Sequence, residues 1–311
     1  MAPAHRPTVA GLPLFGVGFA PAAASFPTGL PVLDGCPVER IFGVAESAGR
    51  SDPFALWRAG DWLLGAAAVP AADDIEGAAR ALYAALFAAA AGRSLARIWN
   101  YVPAINELGP GGLEHYRAFN HGRSLAFEAA FGPGYRAVMP AASAVGTDAG
   151  ELVVCFAASA RPPRHVENPR QVPAYDYPPE HGPRPPSFAR ATVVPGAAGR
   201  ADVFISGTSS IRGHATVAPG DTLRQVECTL ENLRGISAAC GIGEELARGG
   251  VQARHFKVYL RQAEDLAPVQ AVLERELLGT ADSVTYLRSD ICRRELNVEI
   301  EATLIGAAID G

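Results

Sequence analysis

The feature that most constrains this chain is an order of elements that occurs twice. From Val203 the run VFISGTSSI reads as a strand and turn, and Pro219-Gly220-Asp221 then opens a helix, TLRQVECTLENLRGISAA. In that helix Leu223, Val226, Leu230, Leu233 and Ile236 recur at helical spacing. FKVYL (Phe256–Leu260) follows as a strand, AEDLAPVQAVLERELL as a helix, SVTYLRSDI as a strand, and ELNVEIEA (Glu295–Ala302) closes the unit. The first half passes through the same order. RIFGVAES (Arg40–Ser47) and WLLGAAAVP precede a helix from Asp73 to Ala91; RIWNYVPAIN (Arg97–Asn106), the helical GGLEHYRAFNHGRSLAFEAAF and ELVVCFAA (Glu151–Ala158) complete it. Two tandem α/β (α+β) units are therefore expected, over 1–160 and 201–311, with a connector over 161–200.

The closing segments of the two units differ in one telling way. Laying ELVVCFAA on ELNVEIEA puts Cys155 opposite Glu299 and Ala157 opposite Glu301. In an extended chain Leu296, Val298 and Ile300 share one face, while Glu295, Asn297, Glu299 and Glu301 share the other. An acidic strand face is usually solvated. Carboxyls crowded together out of water instead have raised pKa values, as a general acid requires.

Between the units lies RPPRHVENPRQVPAYDYPPEHGPRPPSFARA (Arg161–Ala191), too rich in proline for helix or central strand. It is a rigid extended connector or, given its tyrosines and arginines, a segment packed over a pocket.

Composition bounds the function. The 311 residues carry a net charge of −5, which argues against a phosphate-tracking nucleic-acid surface. Lys257 is the only lysine, so the bases are arginines, suited to gripping carboxylates. The five cysteines form no CxxC and suggest neither a disulfide framework nor a zinc site, which fits a reduced cytoplasm. The apolar N-terminus is interrupted by Pro13, Pro21, Pro27 and Pro31, and the apolar run Ala78–Ala91 is too short to span a bilayer, so a soluble protein with no membrane partner is expected. There is no GxGxxG, P-loop, HExxH or GxSxG, and His115, His121, His165, His181, His214 and His255 show no metal-ligand spacing. His214, after the SGT turn, reads as a turn histidine with a structural hydrogen bond.

The second half resembles the RidA-like (YjgF-type) superfamily in its SG strand, its helix with Gln and Leu-Glu-Asn, its KVY strand and its terminal L-x-V-E-I-E. RIWNYVPAIN, YRAFNHGR, Tyr-Asp-Tyr-Pro with PRPPSFARA, FISGTSSIRGH and YLRSDICRRELNVEIEA, in this order, resemble the chorismatase family from about Arg40 to Ala302. The resemblance implies two tandem RidA-like units, each a mixed β-sheet with helices on one face, and a cofactor-free, metal-free cleavage of chorismate that releases pyruvate. It implies Glu299 as the acid that protonates the enolpyruvyl group, Arg123 and Arg190 as carboxylate anchors, and Tyr175 or Tyr177 on the pocket. Tyr116 and Asn120 share the helix of Arg123 and either join it or face the core. Gly207 and Cys292, the latter seven positions before Glu299, match the 3-hydroxybenzoate-forming branch. Glu295 and Glu301 are expected to be supporting or exposed, and Arg164, Arg170, Arg261 and Arg275 to have no role. Alternative readings are a chorismatase giving a dihydroxy-cyclohexadiene acid or 4-hydroxybenzoate, a RidA-like imine hydrolase, or an aromatic-acid binding module. Against the imine hydrolase, SVTY (Ser283–Tyr286) stands where those enzymes carry a carboxylate-holding arginine. The expected assembly is a monomer or a trimer.

Overall fold

The structure, a computed structural model, describes residues 13–18, 25–39, 42, 45–71 and 73–309. Four helices occupy the expected places: α1 (Ile75–Ala89), α2 (His115–Phe131), α3 (Thr222–Cys240) and α4 (Leu266–Glu276). Local chemistry sets their ends. Asp74 and Asp221 cap α1 and α3 by accepting the Gly77 and Arg224 N–H groups, and Gly241 stops α3 in the left-handed region at φ 78°.

The repeat is visible in the sheets. In the first, Trp62–Pro70, Glu151–Ser159, Ser94–Pro103 and Ala141–Thr147 lie side by side, with the last pair parallel and Glu46–Ser51 and Phe54–Ala59 added beyond Trp62. In the second, Arg200–Ser209, Val298–Ala308, Ala253–Leu260 and Ser283–Arg288 repeat that order, again with the last pair parallel. The registers agree as well. Arg97 and Trp99 stand opposite Ala157 and Cys155; Lys257 and Tyr259 stand opposite Glu301 and Glu299.

Several expectations change. Leu14–Gly18, Ser25–Gly35 and Val38–Glu39, assigned to the first unit by their position, extend the second unit's sheet, because Ser25–Gly35 pairs with Ser283–Arg288. That pairing covers only Val32–Gly35, so the part containing Pro27 and Pro31 is paired on one side, where proline is tolerated. The connector also contributes strands, Arg164–Val166 and Ala191–Pro195, to the second sheet. Ala141–Thr147 is a strand with no signal in the sequence. It is a parallel strand buried on both sides and built of small residues, with no alternation to read. Of the RIFGVAES run, Arg40, Ile41, Gly43 and Val44 lie outside the described residues.

Each sheet carries its helices on one face. Leu82, Tyr83, Phe119 and Phe127 pack on Ile98, Val154 and Phe156, and Val226, Leu230, Leu233 and Leu273 pack on Val203, Val258 and Ile300. The other faces meet in a shared core, with Trp62, Leu64, Trp99 and Tyr101 against Phe15, Phe204, Tyr259 and Leu287. The terminal strand follows this division: Val298, Ile300, Ala302 and Leu304 point to the helices, which directs Glu299 and Glu301 the other way. Among the described residues no helix is long and apolar enough to cross a membrane.

Glu301 sits in the seam between the sheets. It accepts from Arg97 (2.7 Å) and Trp99 Nε1 (2.9 Å) of the first sheet and from Tyr259 Oη (3.1 Å) of the second, and it forms an ion pair with Lys257 Nζ of the second at 2.7 Å. Lys257 also reaches Glu39 at 2.6 Å. Burial alone would push the Glu301 carboxyl up, but Arg97 and Lys257 outweigh it and hold the group down at about 2. Removing one partner of a buried charge pair strands the other in a dry interior. Lys257→Met is therefore expected to cost about 3–5 kcal/mol in stability, measured by urea unfolding. A midpoint within error of the parent would show that the ion cluster contributes nothing.

Candidate active site

A cavity of about 360 Å³ opens where α2, the edge strand Ala141–Thr147, the connector and the second sheet converge. It is lined by Glu299, Cys292, Arg123, Arg190, Tyr177, Tyr116 and Gly207, so the structure gathers almost all of the expected site. Tyr175 is the exception. It lies off the cavity, packed among the first unit's core residues with Arg136 over its ring at 5.7 Å. Tyr177 faces the cavity instead, and its hydroxyl accepts from the Arg190 guanidinium at 2.7 Å. The short helical turn Ala174–Asp176 rotates the chain between the two tyrosines, which spacing in an irregular segment does not reveal.

Glu299 is 3% exposed, and its Oε2 accepts from Ser209 Oγ at 3.2 Å. Its Oε1 is buried and has no hydrogen-bond partner. Burial first, then the charge of Glu301, pushes its carboxyl up to about 8, so it holds its proton at neutral pH. Gly207 makes room for it, since a Cβ there would lie 2.0 Å from Glu299 Oε1. Cys292, half-buried beside it, has its thiol pushed up to about 12 by burial and by Glu299, so it stands in the cavity as a neutral group. Glu295 departs from the strand-face expectation. The strand begins only at Val298, and Glu295 lies exposed on the turn before it, at the cavity rim.

Two guanidiniums are buried without an ion-pair partner among the described residues. Arg123, 1% exposed, donates to Asn120 Oδ1 at 2.7 Å and lies over the Phe119 ring at 4.9 Å. Arg190, 6% exposed, reaches Val172 O at 3.2 Å besides Tyr177 and lies 5.1 Å from the Phe188 ring. Neither forms an ion pair among the described residues, and each leaves its Nε without a partner. Such an arrangement suits an anion with two carboxylates.

Sequence reasoning missed other lining groups: Arg117, Arg293, Arg294, Ser143, Ser209 and Phe188. Arg293 and Arg294 adjoin Cys292 in the ICRRE run, and that adjacency is their sequence signal. Arg261 does not line the cavity, yet it shapes the loop that does. Its guanidinium binds Asp290 (2.8 Å) and the carbonyls of Leu296 (2.8 Å) and Arg293 (2.8 Å), fixing the segment that carries Cys292. Arg164, Arg170 and Arg275 are spent elsewhere, on Cys240 O, Glu231 and Glu276.

Comparison with known proteins fits this geometry. Residues 43–158 match the family model described as "Chorismatase FkbO/Hyg5-like, N-terminal". A chorismatase of Streptomyces rapamycinicus is 36% identical over 301 residues, covering 89% of this chain and 89% of the relative. A 3-hydroxybenzoate synthase of Streptomyces hygroscopicus is 36% identical over 279 residues, covering 84% of this chain and 79% of that protein. A chorismatase crystal structure solved at 1.08 Å superposes with a TM-score of 0.77 at 31% identity, covering 96% of both chains. Similarity that runs through both units and the connector, and not through one unit alone, makes this chain a member of the chorismatase family.

Proposed function

We propose that the protein cleaves chorismate to pyruvate and 3-hydroxybenzoate. The observation that carries this reading is the buried Glu299, its carboxyl pushed up to about 8 and one oxygen partnerless, in the same cavity as two buried guanidiniums that form no ion pair among the described residues. Arg123 and Arg190 hold the two carboxylates of the substrate. Glu299 gives its proton to the methylene carbon of the enolpyruvyl ether, leaving an oxocarbenium ion. The substrate's C4 hydroxyl oxygen then attacks ring C3, the C3–O bond breaks, and its electrons complete the carbonyl of pyruvate. The hydroxyl proton returns to Glu299. Opening of the resulting arene oxide at C4, with loss of the proton on C3, restores aromaticity and leaves oxygen on C3. No water is consumed. The kinship with a 3-hydroxybenzoate synthase and the neutral Cys292 beside the acid favour this outcome over hydrolysis.

Glu299→Gln keeps the shape and loses the proton, so pyruvate release is expected to fall at least about a hundredfold while a substrate analogue still binds. In the parent enzyme, turnover should decline as pH rises through about 8, where Glu299 ionises and has no proton to give. A Gln variant with a large share of the parental rate would remove Glu299 as the acid.

For the anchors, Arg123→Ala and Arg190→Ala should each weaken binding of a dicarboxylate analogue by about 1.5–3 kcal/mol, with Lys restoring only part. Calorimetric affinities equal to the parent in both would rule out these arginines as the clamp.

Cys292→Ala should leave pyruvate release largely intact and change the ring product, because the vacated volume admits water after the protonation step. Chromatography of the ring acids, with oxygen-18 in the C4 hydroxyl of the substrate, reads this out. An unchanged product that retains the label would take Cys292 out of the partition.

A further inference from the structure

Glu180, His181 and His214 meet at the rim of the cavity although the two histidines are far apart in sequence. His181 Nε2 and His214 Nδ1 lie 3.1 Å apart, and Glu180 Oε1 lies 3.6 Å from each. The centre of the triangle these atoms make lies about 2.0 Å from each, and an ion displaced a little from that plane, as a tetrahedral one is, stays close to the Zn–N and Zn–O bond lengths of about 2.0–2.2 Å. The donors thus already form one triangular face of a tetrahedron around a small divalent ion.

The surroundings hold that face in place. The Tyr177 ring lies against both imidazoles, with centroids at 5.0 Å from His181 and 6.3 Å from His214. His181 closes the short turn Pro179–His181. His214 sits on the tip between Ile211–Arg212 and Ala215–Thr216, where Arg293 donates to the His214 carbonyl at 2.9 Å and to Thr216 Oγ1 at 3.2 Å. Gly213, just before it, exchanges backbone hydrogen bonds with Arg170 and Val172 of the connector, both at 3.0 Å. Both histidine backbones are therefore anchored, so gathering the donors requires little ordering. Two imidazoles and one carboxylate suit zinc, cobalt or nickel over magnesium or calcium, which prefer oxygen.

We propose that Glu180, His181 and His214 form a binding site for a divalent transition-metal ion, Zn²⁺ in the first instance, that clips the connector to the 211–216 hairpin across the rim of the cavity. The ion takes its three protein ligands there, with water completing the tetrahedron, and it has no part in the proton transfer proposed for Glu299.

The test uses the untagged full chain, stripped with chelator and titrated calorimetrically with ZnCl₂, and separately with Co²⁺ followed by its visible absorption. One equivalent of Zn²⁺ should bind, Co²⁺ should give the intense bands of a tetrahedral site, and Zn²⁺ should raise the Tm. His214→Ala and His181→Ala should each weaken Zn²⁺ at least about tenfold, because even loss of an outer partner of a metal ligand costs about 10–100-fold. Glu180→Gln, at an exposed position, gives the same reading if a histidine variant folds poorly. Absence of saturable one-to-one uptake, or equal affinity in the folded variants, would overturn the site. These readouts do not involve chorismate, so they stand or fall apart from the activity.

Discussion

The carboxylate of Glu301 ties the two halves of the molecule together. It takes two partners from the first sheet, the donors Arg97 and Trp99, and two from its own, the donor Tyr259 and the paired charge of Lys257, in an interior where an unpaired charge would cost several kcal/mol. Buried ion pairs of this kind add little net stability compared with a hydrophobic core, but they discriminate strongly between arrangements. A slip of one residue along the terminal strand would turn Glu301 into the apolar layer beneath α3 and α4, leaving Arg97 and Lys257 without their shared anion. The contact therefore specifies how one sheet lies on the other, and with it the place where the edge strand Ala141–Thr147 meets the second unit. There Ala141 and Ala142 donate to Thr192 Oγ1 and Ser206 Oγ, and Gly146 donates to Asp290 O.

The same contact bears on Glu299. Arg97 and Lys257 carry two positive charges in the seam, and Glu301 and Glu39 carry two negative ones. That balance is closed before Glu299 is counted. A third carboxylate on the same strand face, buried, with only the Ser209 hydroxyl as a hydrogen-bond donor and no ion pair among the described residues, is pushed up by burial and by Glu301 and keeps its proton. The two glutamates of the VEIE motif thus carry opposite protonation states because their partners differ, although both are buried. Gly207 completes the arrangement by leaving space that any side chain would take from the acid.

What could be read beforehand follows from what has a period or a cap. The helices were legible because apolar residues recur along them and Asp74 and Asp221 mark their starts; the terminal strand was legible from its alternation. Alternation shows which residues share a face but not what covers it, so a carboxylate face that reads as solvated proved to be the inside of a sheet-on-sheet seam. Strands whose partners are remote were hidden: Ser25–Gly35 pairs with a strand some 250 positions away, and Ala141–Thr147 shows only small residues. Glu299, Arg123 and Arg190 were found through family likeness rather than pattern. The meeting of Glu180 and His181 with His214 depends on how the connector folds against a hairpin, and no local spacing encodes that.

The two units are alike in topology and unlike in what they bring to the site. Where the second unit has Glu299 and Glu301, the first has Cys155 and Ala157, both fully buried, and no acid in the equivalent place. A carboxylate at either of those positions would put a third negative charge into the seam, beyond the two that Arg97 and Lys257 balance. Instead the first unit supplies the donors Arg97 and Trp99, the edge strand that roofs Gly207 with Ser143, and the helix that carries Arg123. One strand holds the acid, and the corresponding strand of the other unit carries no charge there. The repeats thus divide the work between them, and neither unit contains a complete cavity without the other.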